Sequence, residues 1–190
     1  MFKKLKIKLG LIKKTDEEIL ELLTTFHNHI AESIIDGKIV SHEKVEEQKV
    51  EVLLFLWVSS GVPFLFNCKN ENFKEILNNN IWGIIFDGVK NDYEDEVFEN
   101  IYKSRREIYN NLMKSDGFAY KDYLKLTNKL LFEAPFEETT DKEEREKLDL
   151  SFDFMGEFME TIQVSEIIKH TLPVYKKALE DLSNMTRSKS

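Results

Sequence analysis

Seven consecutive residues near the middle of the chain, 52–58 (VLLFLWV), carry no polar side chain. On a helix, which turns about 100° per residue, such a run is apolar on every side and has to be enclosed by other elements. Glycine and proline, which most often mark turns, number only 7 and 3 in 190 residues. Few turns mean long elements, and this favours helices over many short strands. We therefore predict an all-α, single-domain bundle of six or seven helices around a buried central helix at about 42–59.

The pattern of charged and apolar residues divides the chain into three parts. Residues 1–14 form a basic N-terminal arm that we expect to be flexible, residues 15–183 form the helical domain, and residues 184–190 form a loose C-terminal tail. The first helix has a clear beginning, because Thr15 and Glu18 have the spacing of a capping box.

Helix ends are predicted from residues that disfavour helical backbone. Gly61 and Pro63 are expected to end the central helix, and Pro173 is expected to separate a long helix at about 142–169 from the last one. Three successive asparagines at 78–80 are expected to end a short helix that begins near residue 70. The apolar segment 81–86 is then predicted to form a short buried helix of its own.

The charge is unevenly distributed along the chain. The net charge is −8, but the arm contains six lysines and no acid, which leaves −14 for the remaining residues. Nucleic-acid binding is not expected, since contacts to phosphates need Lys and Arg gathered on a surface. A basic amphipathic arm predicts peripheral contact with an anionic membrane or an acidic partner. The residues that would make this contact are Lys3, Lys4, Lys6, Lys8, Lys13 and Lys14.

Cysteine and histidine give little sign of reactive chemistry. Cys68 is the single cysteine, so no internal disulfide and no oxidising compartment is implied. No signal-type segment opens the sequence, and we expect a cytoplasmic protein. His27 and His29 flank the apolar stripe of the first helix on opposite sides. We expect both at the boundary between core and solvent.

Charged residues on apolar helix faces are the best candidates for a site. Arg105 lies within an apolar arc that also holds Tyr102 and Tyr109, while Glu46 and Glu166 fall on the apolar stripes of other helices. A buried guanidinium keeps its proton and needs an anionic partner. Arg105 is therefore expected to pair with Glu46, Glu166 or both, or to lie near an edge with its stem on the tyrosines. The alternative is a small-ligand or anion-binding pocket in which Arg105 and the tyrosine hydroxyls hold an anion.

A metal site is a weaker alternative. His42 and Glu46 are four residues apart, as are Glu166 and His170, so that each pair shares one helix face. Carboxylate-bridged metals in helical bundles use the ordered motif Glu-x-x-His, with Glu three residues before His, and the sequence has none. We predict no cofactor, and we keep a metal-dependent helical-bundle enzyme as a second alternative.

No motif identifies a reaction. The sequence has no glycine-rich phosphate loop, no zinc-type cysteine pattern and no nucleophile elbow. We therefore expect a non-enzymatic interaction or accessory protein that contacts an unidentified protein partner through an acidic helical surface.

Overall fold

The computed structural model describes residues 13–35, 44–132 and 163–187. Over these ranges the backbone forms six helices and no strand, which confirms the prediction of an all-α bundle. The sixth helix, α6, joins helical residues 163–166 to a π-helical turn and a regular helix. The bounds are α1 (Asp16–Ile35), α2 (Val45–Asn67), α3 (Glu71–Ile85), α4 (Asp95–Lys114), α5 (Gly117–Phe132) and, within α6, Ile167–Thr171 and Leu172–Met185.

Helix α2 is the centre of the bundle, as the sequence predicts. It packs against each of the other five helices. Every residue from 50 to 58 is buried, so the apolar run is enclosed on all sides. One of these nine residues, Glu51, is charged, and it is fully buried with the rest. The central helix therefore carries one carboxyl group into the core.

The prediction that Gly61 and Pro63 end the central helix is wrong. The helix continues to Asn67 through one π-helical turn, in which the N–H of Val62 bonds to the carbonyl of Trp57, five residues earlier. Proline has no N–H and its ring crowds the carbonyl four residues before it. A wider turn directly before Pro63 accommodates the ring and lets the helix pass.

The same device appears in α6, so the break predicted at Pro173 is also wrong. The π-helical turn ends at Thr171, and the N–H of Leu172 bonds to the carbonyl of Ile167. Pro173 follows directly, in the second position of the regular helix. The π-helical turn of α2 packs against α6.

Helix α3 is one continuous helix, where two short ones were predicted. The side chain of Asn70 caps it by accepting from the N–H of Phe73 (3.2 Å). Within the asparagine triple, Asn80 donates to the carbonyl of Ile76 (2.7 Å), while the residues at 78 and 79 are exposed. Because these amides face solvent or bond to the helix backbone, they do not interrupt it.

The beginning of α1 and the end of α6 lie together. The capping box is confirmed: the N–H of Thr15 donates to Glu18 Oε2 (2.9 Å), and the N–H of Glu18 donates to Thr15 Oγ1 (3.3 Å). Lys13 Nζ donates to the carbonyl of Asn184 (2.6 Å), and Thr186 is fully buried. The prediction of a loose tail is therefore wrong for residues 184–187, which are tied to the body by these contacts.

Some predicted features lie outside the described residues. They are the arm up to residue 12, the beginning of the central helix with His42, most of the helix predicted at 142–169, and the last three residues.

Helix α2 is also the one helix in the described part of the chain whose length and apolar composition suffice to cross a membrane. It has 23 residues, and 67% of its most apolar 18-residue stretch is buried inside the bundle. The central helix of an ordinary bundle meets the same criteria, and the enclosure of α2 by five helices accounts for its composition.

Candidate functional site

Arg105 lies in the core, where it is paired with a carboxylate that the sequence analysis did not select. Its side chain and that of Glu51 are both fully excluded from solvent. Arg105 Nη2 donates to Glu51 Oε1 (2.6 Å), and Arg105 Nε donates to Glu51 Oε2 (3.0 Å). A guanidinium that bonds both oxygens in this way is the strongest form of a buried pair. The prediction of a buried ion pair is thus right, but the predicted partners are not.

Tyr109 completes this buried polar cluster. Its hydroxyl donates to Glu51 Oε2 (2.9 Å), and its ring meets Phe55 edge to face. Burial, and then the negative charge of Glu51, raise the pKa of Tyr109 well above its usual value, so the hydroxyl stays protonated and remains a donor. None of the three polar side chains reaches the surface, which leaves no opening through which a dissolved anion would reach Arg105.

The other residues singled out from the sequence lie apart from this cluster. Glu46 is half exposed and pairs with Lys49 (2.9 Å). Glu166 is exposed on α6 and lies 3.1 Å from His170. Helices α2 and α6 therefore do not bring these carboxylates to Arg105. Among the described residues, no group of three or more His, Cys, Asp or Glu side chains has the arrangement of a metal site.

His27 is fully buried, so the expectation of a boundary position is wrong for this residue. Its Nδ1 lies 2.7 Å from the carbonyl of Leu23, and its Nε2 lies 2.8 Å from the hydroxyl of Tyr175. A carbonyl only accepts, so Nδ1 carries the proton and Nε2 accepts from the tyrosine. Burial lowers the pKa of His27 to about 4, which keeps the ring neutral at neutral pH. His29, in contrast, is exposed.

A polar cleft of about 760 Å³ lies between the π-helical turn of α2 and the last helix. Its wall includes Ser59, Cys68, Lys176 and Ser183. The thiol of Cys68 lies 3.3 Å from the hydroxyl of Ser183 and is itself buried. The wall therefore combines hydroxyl, thiol and ammonium groups. The described residues that line it include no histidine that could act as a base for the thiol or a hydroxyl.

The surface between α3 and α4 holds an apolar groove. Its volume is about 520 Å³, which is within the roughly 300–1,000 Å³ typical of ligand pockets. Two aromatic pairs line it, one at the C-terminal end of α3, where the second ring belongs to the residue that follows the helix, and one on α4. The members of each pair are four positions apart, which places them on the same side. We call this surface the aromatic groove, and its aromatic residues are Trp82, Phe86, Phe98 and Tyr102.

The four rings form a continuous chain. The rings of Trp82 and Tyr102 meet edge to face with centroids 4.5 Å apart. Those of Phe86 and Phe98 are also 4.5 Å apart, and Trp82 stacks on Phe86 at 6.0 Å. Each contact falls within the usual range for paired aromatic rings, so the rings hold one another in place. Trp82 nevertheless remains 39% exposed.

Charged groups and one glycine complete the groove. Asp95 and Glu99 lie four residues apart on α4, and Lys90 lies in the turn before that helix. Lys103 bonds to Glu99 (2.7 Å) and lowers the pKa of that exposed carboxyl. Gly83 is exposed in the last turn of α3, and a Cβ atom at this position would meet no atom within 4 Å. The groove is therefore open at Gly83 and acidic along α4.

This groove was not predicted from the sequence. Of its four rings only Tyr102 was a predicted site residue, and it was expected in a pocket with Arg105. A signal for it exists, because both aromatic pairs have the spacing of residues on one helix face. The apolar content of segment 81–86 predicts a helix that is buried throughout, whereas Trp82 within it is exposed. An acid-rich stretch directly before the second pair was a further indication that this face meets solvent.

Comparisons of this chain with protein-family models, with curated proteins and with solved structures find no match.

Proposed function

We propose that this chain is a non-enzymatic interaction protein that binds a protein partner through the aromatic groove and the acidic surface beside it. The observation that carries the proposal is the exposure of Trp82 at the centre of four contacting rings. An exposed tryptophan in a concave apolar surface is costly in water, and tryptophan and tyrosine are the residues that most often dominate binding energy at protein interfaces.

The acidic surface is the face of the turn and helix that border this groove. Residues 87–99 include six carboxylates and one lysine. An apolar centre with charged groups at its edge is the usual arrangement of a protein interface. Charges at the edge contribute little affinity but select the partner and speed its approach.

Two further observations support a role in binding rather than catalysis. The polar cluster of Arg105 and Glu51 has no access to solvent and cannot meet a substrate. Among the described residues, the ionisable groups that line the aromatic groove are Lys90, two carboxylates of α4 and the phenol of Tyr102. They include no cysteine or histidine, the side chains most often used as nucleophile and base near neutral pH.

The proposal is tested by capture followed by direct measurement. The immobilised full chain is exposed to a lysate of the cells that express it, in parallel with Trp82→Ala and Gly83→Gln. The first variant removes the exposed ring, and the second places a side chain in the open part of the groove. A partner of the groove is captured by the unmodified chain and lost with both variants. The captured protein is then purified, and its binding is measured by calorimetry.

Phe66→Ala is the matched control, because Phe66 is a large apolar residue that is 82% exposed at the end of α2, outside the groove. It should bind the purified partner as the unmodified chain does. If all four proteins capture the same set, or if the purified protein binds Trp82→Ala with undiminished affinity, the groove is not the interface and the proposal fails.

A further inference from the structure

We propose that the aromatic groove recognises a basic segment of its protein partner, with a lysine or arginine side chain lying across the ring of Trp82 and its charge directed to Asp95 and Glu99. This inference rests on the proposed function, and it adds the chemistry of the partner.

The rings supply the first part of the recognition. An aromatic face carries partial negative charge, and a cation within about 6 Å of its centre is attracted to it, most strongly by tryptophan. The stems of lysine and arginine are apolar and pack well on such a surface while the charged end remains at the edge. Trp82 presents its exposed area in the middle of the chain of rings, where a long side chain lies against apolar atoms on both sides.

The carboxylates supply the second part. Asp95 and Glu99 line the same groove from one face of α4. Glu99 shares its charge with Lys103, whereas Asp95 has no hydrogen bond or ion pair to any of the described residues. A cation that enters the groove therefore meets one shared carboxylate and one unshared carboxylate.

Lys90, the one cation among the described residues that line the groove, does not cancel this charge. Lys90 Nζ lies 2.6 Å from Asp87 Oδ1, so its charge is matched by a carboxylate of the same turn. Besides Asp95, residues 92–96 add three more acidic side chains beside the groove. An anionic occupant would be repelled by this surface, and a neutral apolar segment would gain nothing from it.

Gly83 is the third part, and it is an independent observation. Glycine within a helix is less favourable than alanine, because it loses more conformational freedom on folding. At Gly83 a Cβ atom would meet nothing within 4 Å, so the packing of the described protein does not call for glycine there. Because Gly83 lines the groove beside Trp82, its missing side chain lets another backbone approach the ring closely.

The inference is tested with synthetic peptides and the full chain. One acetylated, amidated octapeptide alternates arginine with alanine. A second has citrulline, which is neutral and nearly isosteric, at each arginine position, and a third alternates leucine with serine. Binding is followed by the NMR resonance of the Trp82 indole N–H, which is assigned by its absence in Trp82→Phe. We expect the arginine peptide to bind at least about fivefold more tightly than the citrulline peptide. A fivefold difference corresponds to the lower estimate for the strength of one contact between a cation and an aromatic ring.

Variants of the chain distinguish binding of the peptide at the groove from its general electrostatic attraction to an acidic protein. Asp95→Asn combined with Glu99→Gln should lower the affinity for the arginine peptide at least fivefold. Glu107→Gln removes an exposed charge from the same helix outside the groove, and it should change this affinity less than twofold. Trp82→Ala lacks the indole that reports binding, so its binding of the arginine peptide is measured by calorimetry, and it should show no saturable binding. Thermal unfolding of each variant establishes that it is folded.

The outcomes distinguish this inference from the proposed function. If the citrulline or leucine peptide shifts the Trp82 resonance and binds as tightly as the arginine peptide, the groove is an interface without preference for a cation, and only the inference fails. If the arginine peptide binds Trp82→Ala equally well, the peptide binds by net charge alone and the inference is wrong. If no peptide shifts the resonance, the inference also fails, and the capture experiment still decides whether a protein partner uses the groove.

Discussion

Arg105 and Glu51 form a bidentate ion pair at the centre of the bundle, with Nη2 to Oε1 at 2.6 Å, Nε to Oε2 at 3.0 Å, and both side chains fully buried. The pair joins α4 to the central helix, in which Val50 and residues 52–58 are apolar. Removing two charges from water is costly, and the cost is recovered only while both partners are present. The pair therefore contributes more to the specificity of the packing of α4 against α2 than to net stability.

Arg105→Met is expected to lower the free energy of unfolding by about 3–5 kcal/mol, because it removes the guanidinium that bonds both oxygens of the buried Glu51 side chain. Urea denaturation followed by far-UV circular dichroism measures the change. If Arg105 instead served to bind a ligand, the variant would keep its stability.

Glu51→Met combined with Arg105→Met closes the cycle. When both charges are removed, no ion is left unpaired, and at least half of the loss should be recovered. The cost that remains includes the hydroxyl of Tyr109, which loses its acceptor, so that adding Tyr109→Phe should recover more. A double variant as unstable as the sum of the two single ones would contradict the coupling.

The buried pair shows which features of a polar cluster can be predicted from this sequence and which cannot. A guanidinium within an apolar arc predicts burial and an acidic partner, and both are found. The partner could not be chosen, because the choice depends on how α2 and α4 are rotated against each other. Glu51 escaped notice for a physical reason: on a helix enclosed on every side, any position is a core position, and no stripe distinguishes it.

The helix ends predicted at Pro63 and Pro173 are wrong because the rule behind them holds for regular α-helices. Both helices contain a wider π-helical turn before the proline. Pro63 and Pro173 do lack the N–H that a regular turn needs, so an irregularity was rightly expected at both places. Whether the chain then stops or makes a π-helical turn depends on whether neighbouring helices hold it straight. That information lies in the packing of α2 against α6, which the local sequence does not contain.

Protonation of His27 is expected to destabilise the fold in mild acid. Burial lowers the pKa of its imidazole from about 6.5 to about 4, so below pH 6.5 the unfolded chain takes up a proton that the folded chain refuses. Stability should therefore be unaffected by this group above pH 7 and fall as the pH drops, by about 2 kcal/mol between pH 7 and pH 5. Urea denaturation at a series of pH values measures this slope.

His27→Gln should remove most of that slope, even though its stability at pH 7 is also lower. His29→Gln is the matched control, because His29 lies two residues away on the same helix with its side chain 85% exposed, and it should leave the slope unchanged. A slope that persists in His27→Gln would assign the acid sensitivity to carboxylates instead.

Gly61→Ala is expected to lower the free energy of unfolding by about 1–3 kcal/mol, the usual cost of overpacking a core. A Cβ atom at Gly61 would overlap the six-membered ring of Trp57, approaching Cζ3 to 2.7 Å, so the ring or the π-helical turn has to move. Trp57 is buried, and its displacement should alter its fluorescence. The measurement uses a Trp82→Phe background, so that Trp57 is the single fluorescent indole. An unchanged spectrum together with unchanged stability would show that the turn adapts at no cost.

Gly83→Ala is expected to have the opposite effect on stability and to reveal the purpose of the glycine. The added methyl group meets no atom within 4 Å, and alanine favours the helix by about 0.5–1 kcal/mol over glycine. The free energy of unfolding should rise by that amount, while binding of the arginine octapeptide should weaken, because the methyl group narrows the approach to Trp82. Urea denaturation and the Trp82 indole resonance measure the two effects on one sample. A variant that gains stability and binds as before would leave Gly83 without a role in recognition, and one that loses stability would show that the helix backbone at this position is not free to accept a side chain.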